Sequence, residues 1–259
     1  METNLIKGLF DVSGKVAIVT GATGGLGHTA SRALAQAGVK VMLTGRNERE
    51  LKALLAEIEK DGCIAAYSVG DPTIHEDVKK VVKDTVDRFG GIDILVTAAG
   101  FNKPGPVVDQ PVEEWQSIMD ANVKGTWLYL KEVGKVFLAQ NRGGKVVIVG
   151  SVRGEYGFTN LGGYNASKGA VHLLTKTMAW EWGKQKINVN AIAPTVFRTK
   201  LTQWIFDNPQ ALAGLLPQIP MGRLGEPEDF IGSILFLSSK ASDFMTGAII
   251  PVDGGFLAG

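Results

Sequence analysis

The chain has 259 residues, of which 45% are hydrophobic and 20% charged, a balance that excludes a disordered protein. Its formal net charge of +1 comes from 27 basic and 26 acidic residues with no basic stripe, so we expect neither nucleic acid nor an anionic membrane as a partner. The 33 glycines are close to twice the usual share of about 7%, and they follow no three-residue period, which excludes a collagen-like fibre.

Short apolar runs alternate with longer segments of helical period along the whole chain. In chain order we predict a strand at 16–20, a helix at 26–37, a strand at 39–44, a helix at 48–60, a strand at 64–67, a helix at 75–89, a strand at 92–97, a helix from 112 to about 139, a strand at 145–149, a helix at 164–184, a strand at 187–192, a helix at 226–237 and a strand at 248–252. Strands that are apolar on both faces and separated by helices are typical of a parallel sheet covered on both sides. The sequence therefore predicts one doubly wound, Rossmann-like α/β domain over residues 1–259.

Residues 197–222 break this alternation because they contain Pro209, Pro217 and Pro220. Long insertions in a compact domain are more often functional loops than domain boundaries. We therefore expect this segment to be a substrate lid.

The lone cysteine, Cys63, excludes a disulfide framework and a thiolate metal cluster. The three histidines are dispersed, and no acid–histidine spacing indicates a metal site. The first ten residues carry Glu2 and Lys7 and lack the apolar run of a secretory signal, and no run approaches the roughly 18 residues of a membrane span. We expect a cytoplasmic protein without a membrane partner.

A glycine-rich segment from Thr20 to Gly27 links the first predicted strand to the first predicted helix. Glycines allow close approach of a ligand to the backbone, and the free N–H groups of a helix start attract phosphate. We expect a dinucleotide to bind here, the alternative being a glycine-rich turn without a ligand. The expected contacts are Gly21, Thr23, Gly24, Gly25, Leu26 and Gly27.

The end of the second predicted strand indicates which dinucleotide is used. NAD sites usually place an acid there, whereas a nearby arginine suits the 2′-phosphate of NADP. Gly45 offers no acid and Arg46 follows it, so we predict NADP, with NAD still possible. The alternative is that Arg46 is a solvated residue that opens a helix.

Tyr164 and Lys168 are four residues apart and share one face of a predicted helix, while Ser151 ends an apolar strand. A phenol has a pKa near 10, and a neighbouring ammonium lowers that pKa. The three residues therefore predict general acid–base chemistry at a carbonyl or alcohol, in which Ser151 holds the reacting oxygen.

These motifs, in this order, resemble the short-chain dehydrogenase/reductase family over essentially the whole chain. The family's cofactor loop matches residues 20–27, and its serine, tyrosine and lysine match Ser151, Tyr164 and Lys168. The resemblance implies a fourth catalytic residue, Asn122, which bends its helix and holds a water that relays protons from Lys168. It also implies that Lys168 grips the cofactor ribose, and that the protein is a homotetramer.

The resemblance implies further cofactor contacts, with three departures from the family pattern. Residues 97–100 read Thr-Ala-Ala-Gly where the family has Asn-Asn-Ala-Gly, Ser68 replaces an aspartate, and Thr195 replaces a glycine. The implied contacts are Ser68, Val69, Ala98, Ala99, Gly100, Tyr164, Lys168, Pro194, Phe197 and Thr199.

Within the family, residues 9–14, 198–202 and 220–225 are similar to the gluconate 5-dehydrogenase-like branch. We expect Ser151, Arg153 and Tyr164 to contact the substrate, with Arg153 or Lys103 holding a carboxylate unless both are solvated rim residues.

The sequence thus predicts an oxidoreductase that moves hydride between NADP and a ketone or secondary alcohol of a sugar acid or polyol. A 3-oxoacyl-thioester or hydroxysteroid reductase is the alternative within the family. A nucleotide-binding regulator without turnover is the alternative from another class.

Overall fold

Seven parallel strands form one sheet in the computed structural model, which describes residues 5–200 and 202–259. Residues 1–4, and Leu201 in the expected lid, lie outside the described residues. The strands are β1 Val16–Thr20, β2 Lys40–Gly45, β3 Ala65–Val69, β4 Ile94–Thr97, β5 Gly144–Val149, β6 Ile187–Pro194 and β7 Ile249–Val252. Their order, β3-β2-β1-β4-β5-β6-β7, confirms the predicted doubly wound α/β fold.

Helices cover both faces of this sheet. The α-helices of the described residues are α1 Leu5–Phe10, α2 Gly25–Gln36, α3 Glu48–Lys60, α4 His75–Phe89, α5 Val112–Met119, α6 Gly125–Gln140, α7 Gly162–Trp182, α8 Gln203–Phe206, α9 Pro209–Leu215 and α10 Pro227–Ser238. No helix in the described part of the chain is long and apolar enough to cross a membrane.

The sheet separates two apolar cores because successive side chains of a strand point to opposite faces. In β1, Ala17 and Val19 pack in one core with residues of α2, α3 and α10, whereas Ile18 packs in the other with residues of α4, α6 and α7. This two-sided burial explains why β1 is continuously apolar in sequence.

The stretch expected to be helical from 112 to about 139 is helical throughout, and its helix type changes around Asn122, where the resemblance implied a bend. Between α5 and α6 the chain forms one π-helical turn, Asp120–Lys124. Such a turn contains one residue more than an α-helical turn and reorients the side chains within it. Asn122 is the buried residue of this turn.

The strand order changes direction at β1, which lies between β2 and β4. Gly21 follows β1 at φ +60°, and a Cβ on it would lie 2.7 Å from the Cα of Ala99, after β4. The Thr20 hydroxyl oxygen accepts hydrogen bonds from the N–H groups of Ala98 at 3.1 Å and Ala99 at 3.2 Å. The two strand ends therefore meet at the crevice where doubly wound folds bind ligands.

The segment expected to be a lid contains α8, α9 and a 3-10 turn, Leu216–Gln218. It has a small apolar cluster of its own, in which Ile205 and Ile219 pack with Val152 and Phe256. Val152 directly follows Ser151, so this cluster borders the residues predicted to be catalytic.

Candidate active site

Besides Gly21, the glycine turn after β1 has no room for a side chain at two further positions. A Cβ on Gly27 would overlap the carbonyl group of Gly21, and a Cβ on Gly25 would overlap the side chain of Thr199. The first turn of α2 begins at Gly25, where unpaired backbone N–H groups are available to an anion. A backbone cradle at a helix start fits the pyrophosphate of a dinucleotide.

The end of β2 places the expected cofactor-selecting residue beside this turn. A Cβ on Gly45 would lie 3.9 Å from the Thr23 hydroxyl oxygen, so the two segments are adjacent. Arg46 is exposed, and its guanidinium makes no ion pair within residues 5–200 and 202–259. Arg46 is therefore available to a phosphate group.

Ser68 lies at the end of β3, but its side chain faces α4. Its hydroxyl donates a hydrogen bond to Asp84 at 2.6 Å and accepts one from Lys80 at 3.1 Å. This hydroxyl is therefore already engaged within the chain.

Asn122 connects the end of β4 to α7. Its side-chain oxygen accepts a hydrogen bond from the N–H of Phe101 at 3.0 Å, and its amide nitrogen donates to the Phe101 carbonyl at 3.0 Å and the Ser167 hydroxyl at 2.9 Å. Ser167 donates in turn to the carbonyl of Tyr164 at 2.7 Å. A Cβ on Gly100 would lie 2.9 Å from the Asn122 oxygen and 3.9 Å from Nζ of Lys168.

Two residues in these contacts were not singled out from the sequence. Thr20 holds the chain after β4, and Ser167 joins Asn122 to the first turn of α7. Ser167 immediately precedes Lys168, and this position next to the Tyr–Lys pair is the feature of the sequence that could have identified it.

Lys168 is only 7% exposed, and its ammonium donates a hydrogen bond to the carbonyl of Val149 at 2.9 Å. Burial lowers the pKa of Lys168 to about 8. Its Nζ lies 5.6 Å from the centre of the Tyr164 ring, so the structure brings the expected pair together.

The pKa of Tyr164 differs in direction from the sequence expectation. Burial raises this pKa above its usual value, and the Ser151 hydroxyl and the positive charge of Arg153 only partly oppose that rise. The expectation of a lowered pKa was therefore wrong for the chain alone, because burial outweighs the neighbouring charges. A raised pKa keeps the phenol protonated at neutral pH and able to donate a proton.

Ser151 follows β5 and faces the end of β6. Its hydroxyl accepts a hydrogen bond from the N–H of Arg153 at 3.1 Å and donates to the carbonyl of Pro194 at 3.5 Å. Phe197 is buried beyond β6 and packs edge-on against Phe230, with ring centres 6.2 Å apart. Thr199 follows it against the glycine turn, so one segment touches both the cofactor cradle and the serine.

Among the described residues, no group of three or more His, Cys, Asp or Glu side chains is arranged to hold a metal ion.

The sheet topology and the residues at its carboxyl edge define a dinucleotide-dependent oxidoreductase. Residues 21–257 match a family model described as Enoyl-(Acyl carrier protein) reductase. An uncharacterized oxidoreductase of Mycobacterium tuberculosis is 43% identical, over 98% of this chain and 96% of its own. The 2-dehydro-3-deoxy-D-gluconate 5-dehydrogenase of Escherichia coli is 37% identical, over 98% and 100%.

A crystal structure of a gluconate 5-dehydrogenase from Burkholderia cenocepacia, in complex with NADP and tartrate, superposes with a TM-score of 0.94 at 32% identity. The match covers 98% of this chain and 99% of the other. The chain belongs to the short-chain dehydrogenase/reductase family.

His172 lies one helical turn after Lys168 and is 5% exposed. Neither ring nitrogen has a hydrogen-bond partner within the described part of the chain. Burial, followed by the positive charges of Lys168 and Lys176, lowers the pKa of His172 to about 4. The Glu155 carboxylate is 3.7 Å from Nδ1, too far for a hydrogen bond, and does not reverse this shift.

We expect the protein to lose stability as the pH falls from about 6.5 to about 4. An unfolded histidine binds a proton near pH 6.5, whereas folded His172 stays neutral down to about pH 4. The unfolded state therefore binds more protons in this interval and is favoured. Between pH 7 and pH 4.5 the free energy of unfolding should fall by about 2–3 kcal/mol, at about 1.4 kcal/mol per pKa unit.

Urea unfolding of the wild type and of His172→Gln at the two pH values measures this contribution. The variant should lose less stability on acidification, and His28→Gln, which alters a half-buried histidine on α2, should behave as the wild type. An equal loss in all three proteins would contradict the assignment.

Proposed function

We propose that the protein catalyses reversible hydride transfer between NADP(H) and a hydroxyl or keto group of a sugar acid. The observation that carries this proposal is the assembly of Ser151, Tyr164 and Lys168 beside a backbone cradle for a dinucleotide. The names of the Escherichia coli and Burkholderia cenocepacia proteins, and the NADP and tartrate bound to the latter, support the cofactor and the substrate class.

In the reductive direction, the glycine turn and Arg46 would hold NADPH, which would supply the hydride for the carbonyl carbon. The Ser151 hydroxyl orients the carbonyl oxygen, and the Tyr164 phenol donates the proton that completes the alcohol. A protonated Lys168 beside the tyrosine stabilises the phenolate that remains. In the oxidative direction the same phenolate takes the proton back.

We infer that Lys168 also binds the ribose hydroxyls of the cofactor, and that Asn122 supports a water through which Lys168 exchanges protons with solvent. The bonds from Asn122 to Phe101 and Ser167 support a positioning role for this residue. Its effect on the reaction then passes through the first turn of α7, which carries Tyr164.

The proposed cofactor contacts follow from the cradle and the strand ends around it. Arg46 binds the 2′-phosphate, and the glycine turn binds the pyrophosphate. The other proposed contacts are Thr23, Leu26, Val69, the backbone of Ser68, Ala98, Ala99, Gly100, Pro194, Phe197 and Thr199. Contact of Thr199 with Gly25 supports a role for the segment after β6 in closing over the cofactor.

Residues 197–222 act, in this proposal, as a lid over the substrate. The packing of Ile205 and Ile219 on Val152, next to Ser151, supports this role. Hydrogen exchange measured with NADPH, with and without substrate, should show added protection in α8 and α9 when both are bound.

We further propose that the protein works in the cytoplasm as a homotetramer. Trp127 on α6 and Leu173 and Trp180 on α7 are 45%, 65% and 90% exposed, and such apolar surface favours contact between subunits. Light scattering of the purified protein should give the mass of four chains.

Tyr164→Phe should lower kcat by about 10²–10⁴-fold, because it removes the proton donor, while NADPH binding stays close to that of the wild type. Turnover is measured as NADPH oxidation over keto sugar acids, polyols, steroids and acyl thioesters. Tyr67→Phe, which removes a hydroxyl bonded to Glu48, is the control and should keep wild-type turnover. Full activity of Tyr164→Phe would remove this residue from the mechanism.

Arg46→Ala should raise the KM for NADPH by about 10–100-fold, the value of one charged hydrogen bond, and leave the KM for NADH within about twofold. Arg49→Ala removes an equally exposed charge three residues further on and should change neither constant. If Arg46→Ala affected the two cofactors equally, the preference for NADP would not arise from this residue.

A further inference from the structure

Arg153 carries a buried charge that nothing in the described part of the chain neutralises. The residue is only 9% exposed, no acidic side chain pairs with it, and its Nη1 is fully buried without a hydrogen-bond partner. A guanidinium removed from water in this way is costly unless an acceptor meets its N–H groups. The site therefore has an unmet requirement for an anion.

Two aromatic rings fix the orientation of this guanidinium. Its central carbon lies 4.2 Å from the centre of the Phe158 ring and 5.1 Å from that of Phe256. Ring faces stabilise the cation but accept no hydrogen bonds in the guanidinium plane. The rings thus hold the plane still and leave its N–H donors unpaired.

Arg198 also packs on an aromatic ring, and a carboxylate pairs with its guanidinium. Its guanidinium lies 3.9 Å from the centre of the Phe206 ring, and its Nε also donates hydrogen bonds to both carboxylate oxygens of Glu226, at 3.0 and 3.1 Å. Arg153 has the aromatic contact without the carboxylate.

Arg153 stands beside the reacting groups. Its backbone N–H donates a hydrogen bond to the Ser151 hydroxyl at 3.1 Å, and the positive charge of its guanidinium acts on the Tyr164 phenol. Phe256, which the guanidinium contacts, belongs to the apolar cluster of the lid segment. The guanidinium is therefore near both the Tyr164 phenol and the segment proposed to cover the substrate.

Lys103, the other basic residue expected to hold a carboxylate, is already paired with an acid. Lys103 is exposed, and its ammonium pairs with Glu114 at 3.1 Å. Of the two candidates from the sequence, Arg153 is the one whose charge is unpaired within the described residues.

We propose that Arg153, held between Phe158 and Phe256, binds the carboxylate of the substrate and selects carboxylated substrates over neutral polyols. The inference rests on the proposed function, and it assigns the group by which that substrate is recognised. A guanidinium meets a carboxylate with two parallel N–H···O bonds, which fixes the orientation of the substrate chain as well as binding it.

The test compares D-gluconate with D-glucitol, a neutral polyol, as substrates of the NADP-loaded enzyme. Arg153→Met should lower kcat/KM for D-gluconate about 100-fold more than it lowers kcat/KM for D-glucitol, as expected for loss of a charged bidentate contact, because the effect of the lost charge on Tyr164 is common to both substrates. Arg153→Lys should fall between, since an ammonium lacks the planar fork. Lys103→Met should leave the gluconate-to-glucitol ratio at the wild-type value.

Calorimetric binding of D-gluconate to the NADP complex separates this inference from the proposed function. If the wild type binds gluconate and Arg153→Met does not, the inference is supported. This holds even if the wild type turns over no sugar acid, because absence of turnover would reject only the proposed function. Equal gluconate binding by wild type and variant, or an unchanged ratio of kcat/KM values, overturns the inference while the function stands. Failure of the wild type to bind gluconate overturns it too.

A further variant covers the case in which Arg153→Met does not fold. Phe158→Leu removes a 41% exposed ring and keeps the charge, so it should fold normally and bind gluconate several-fold more weakly. Unchanged gluconate binding by this variant would contradict the role given to the aromatic contact.

Discussion

The side-chain amide of Asn122 is the junction on which the candidate site depends. It exchanges hydrogen bonds with both backbone groups of Phe101 after β4 and donates a third to Ser167 on α7. Because the amide is buried, loss of any one partner leaves a polar group unsatisfied at a cost of about 1–3 kcal/mol. The π turn Asp120–Lys124 carries this side chain, so an irregular helix, a strand end and the helix of Tyr164 and Lys168 form one unit.

Lys168 and Arg153 are two buried cations in this region, and they differ in how their charge is stabilised. Lys168 donates to the carbonyl of Val149, and its pKa falls to about 8, so it retains the option of losing its proton. Arg153 does not have this option at neutral pH, because a guanidinium keeps its charge. A lysine suits a proton relay, whereas a permanent charge between aromatic rings suits the recognition of an anion.

The fold was predictable from the sequence because strand and helix periods are local properties. The same locality explains what the sequence missed. The π-helical turn Asp120–Lys124 is only five residues long, too short for its own period to be read from the apolar pattern, and the direction of the Ser68 side chain depends on Asp84 and Lys80 in α4. The pKa of Tyr164 is raised by burial, and the charge that opposes this rise is that of Arg153 and not that of Lys168, which was considered from spacing alone. Likewise, only the folded chain shows that Lys103 is paired and Arg153 is not.

The two halves of the candidate site constrain the chain in different ways. The cofactor half is formed largely by backbone, which requires glycines where a Cβ on Gly25 or Gly27 would overlap a neighbour. Such steric requirements leave a readable pattern in the sequence. The proposed substrate half consists of side chains such as Arg153 and Phe158, whose charge and shape are not required by the fold. A match over the whole chain therefore defines the reaction class, while the substrate group must be inferred from an uncompensated side chain.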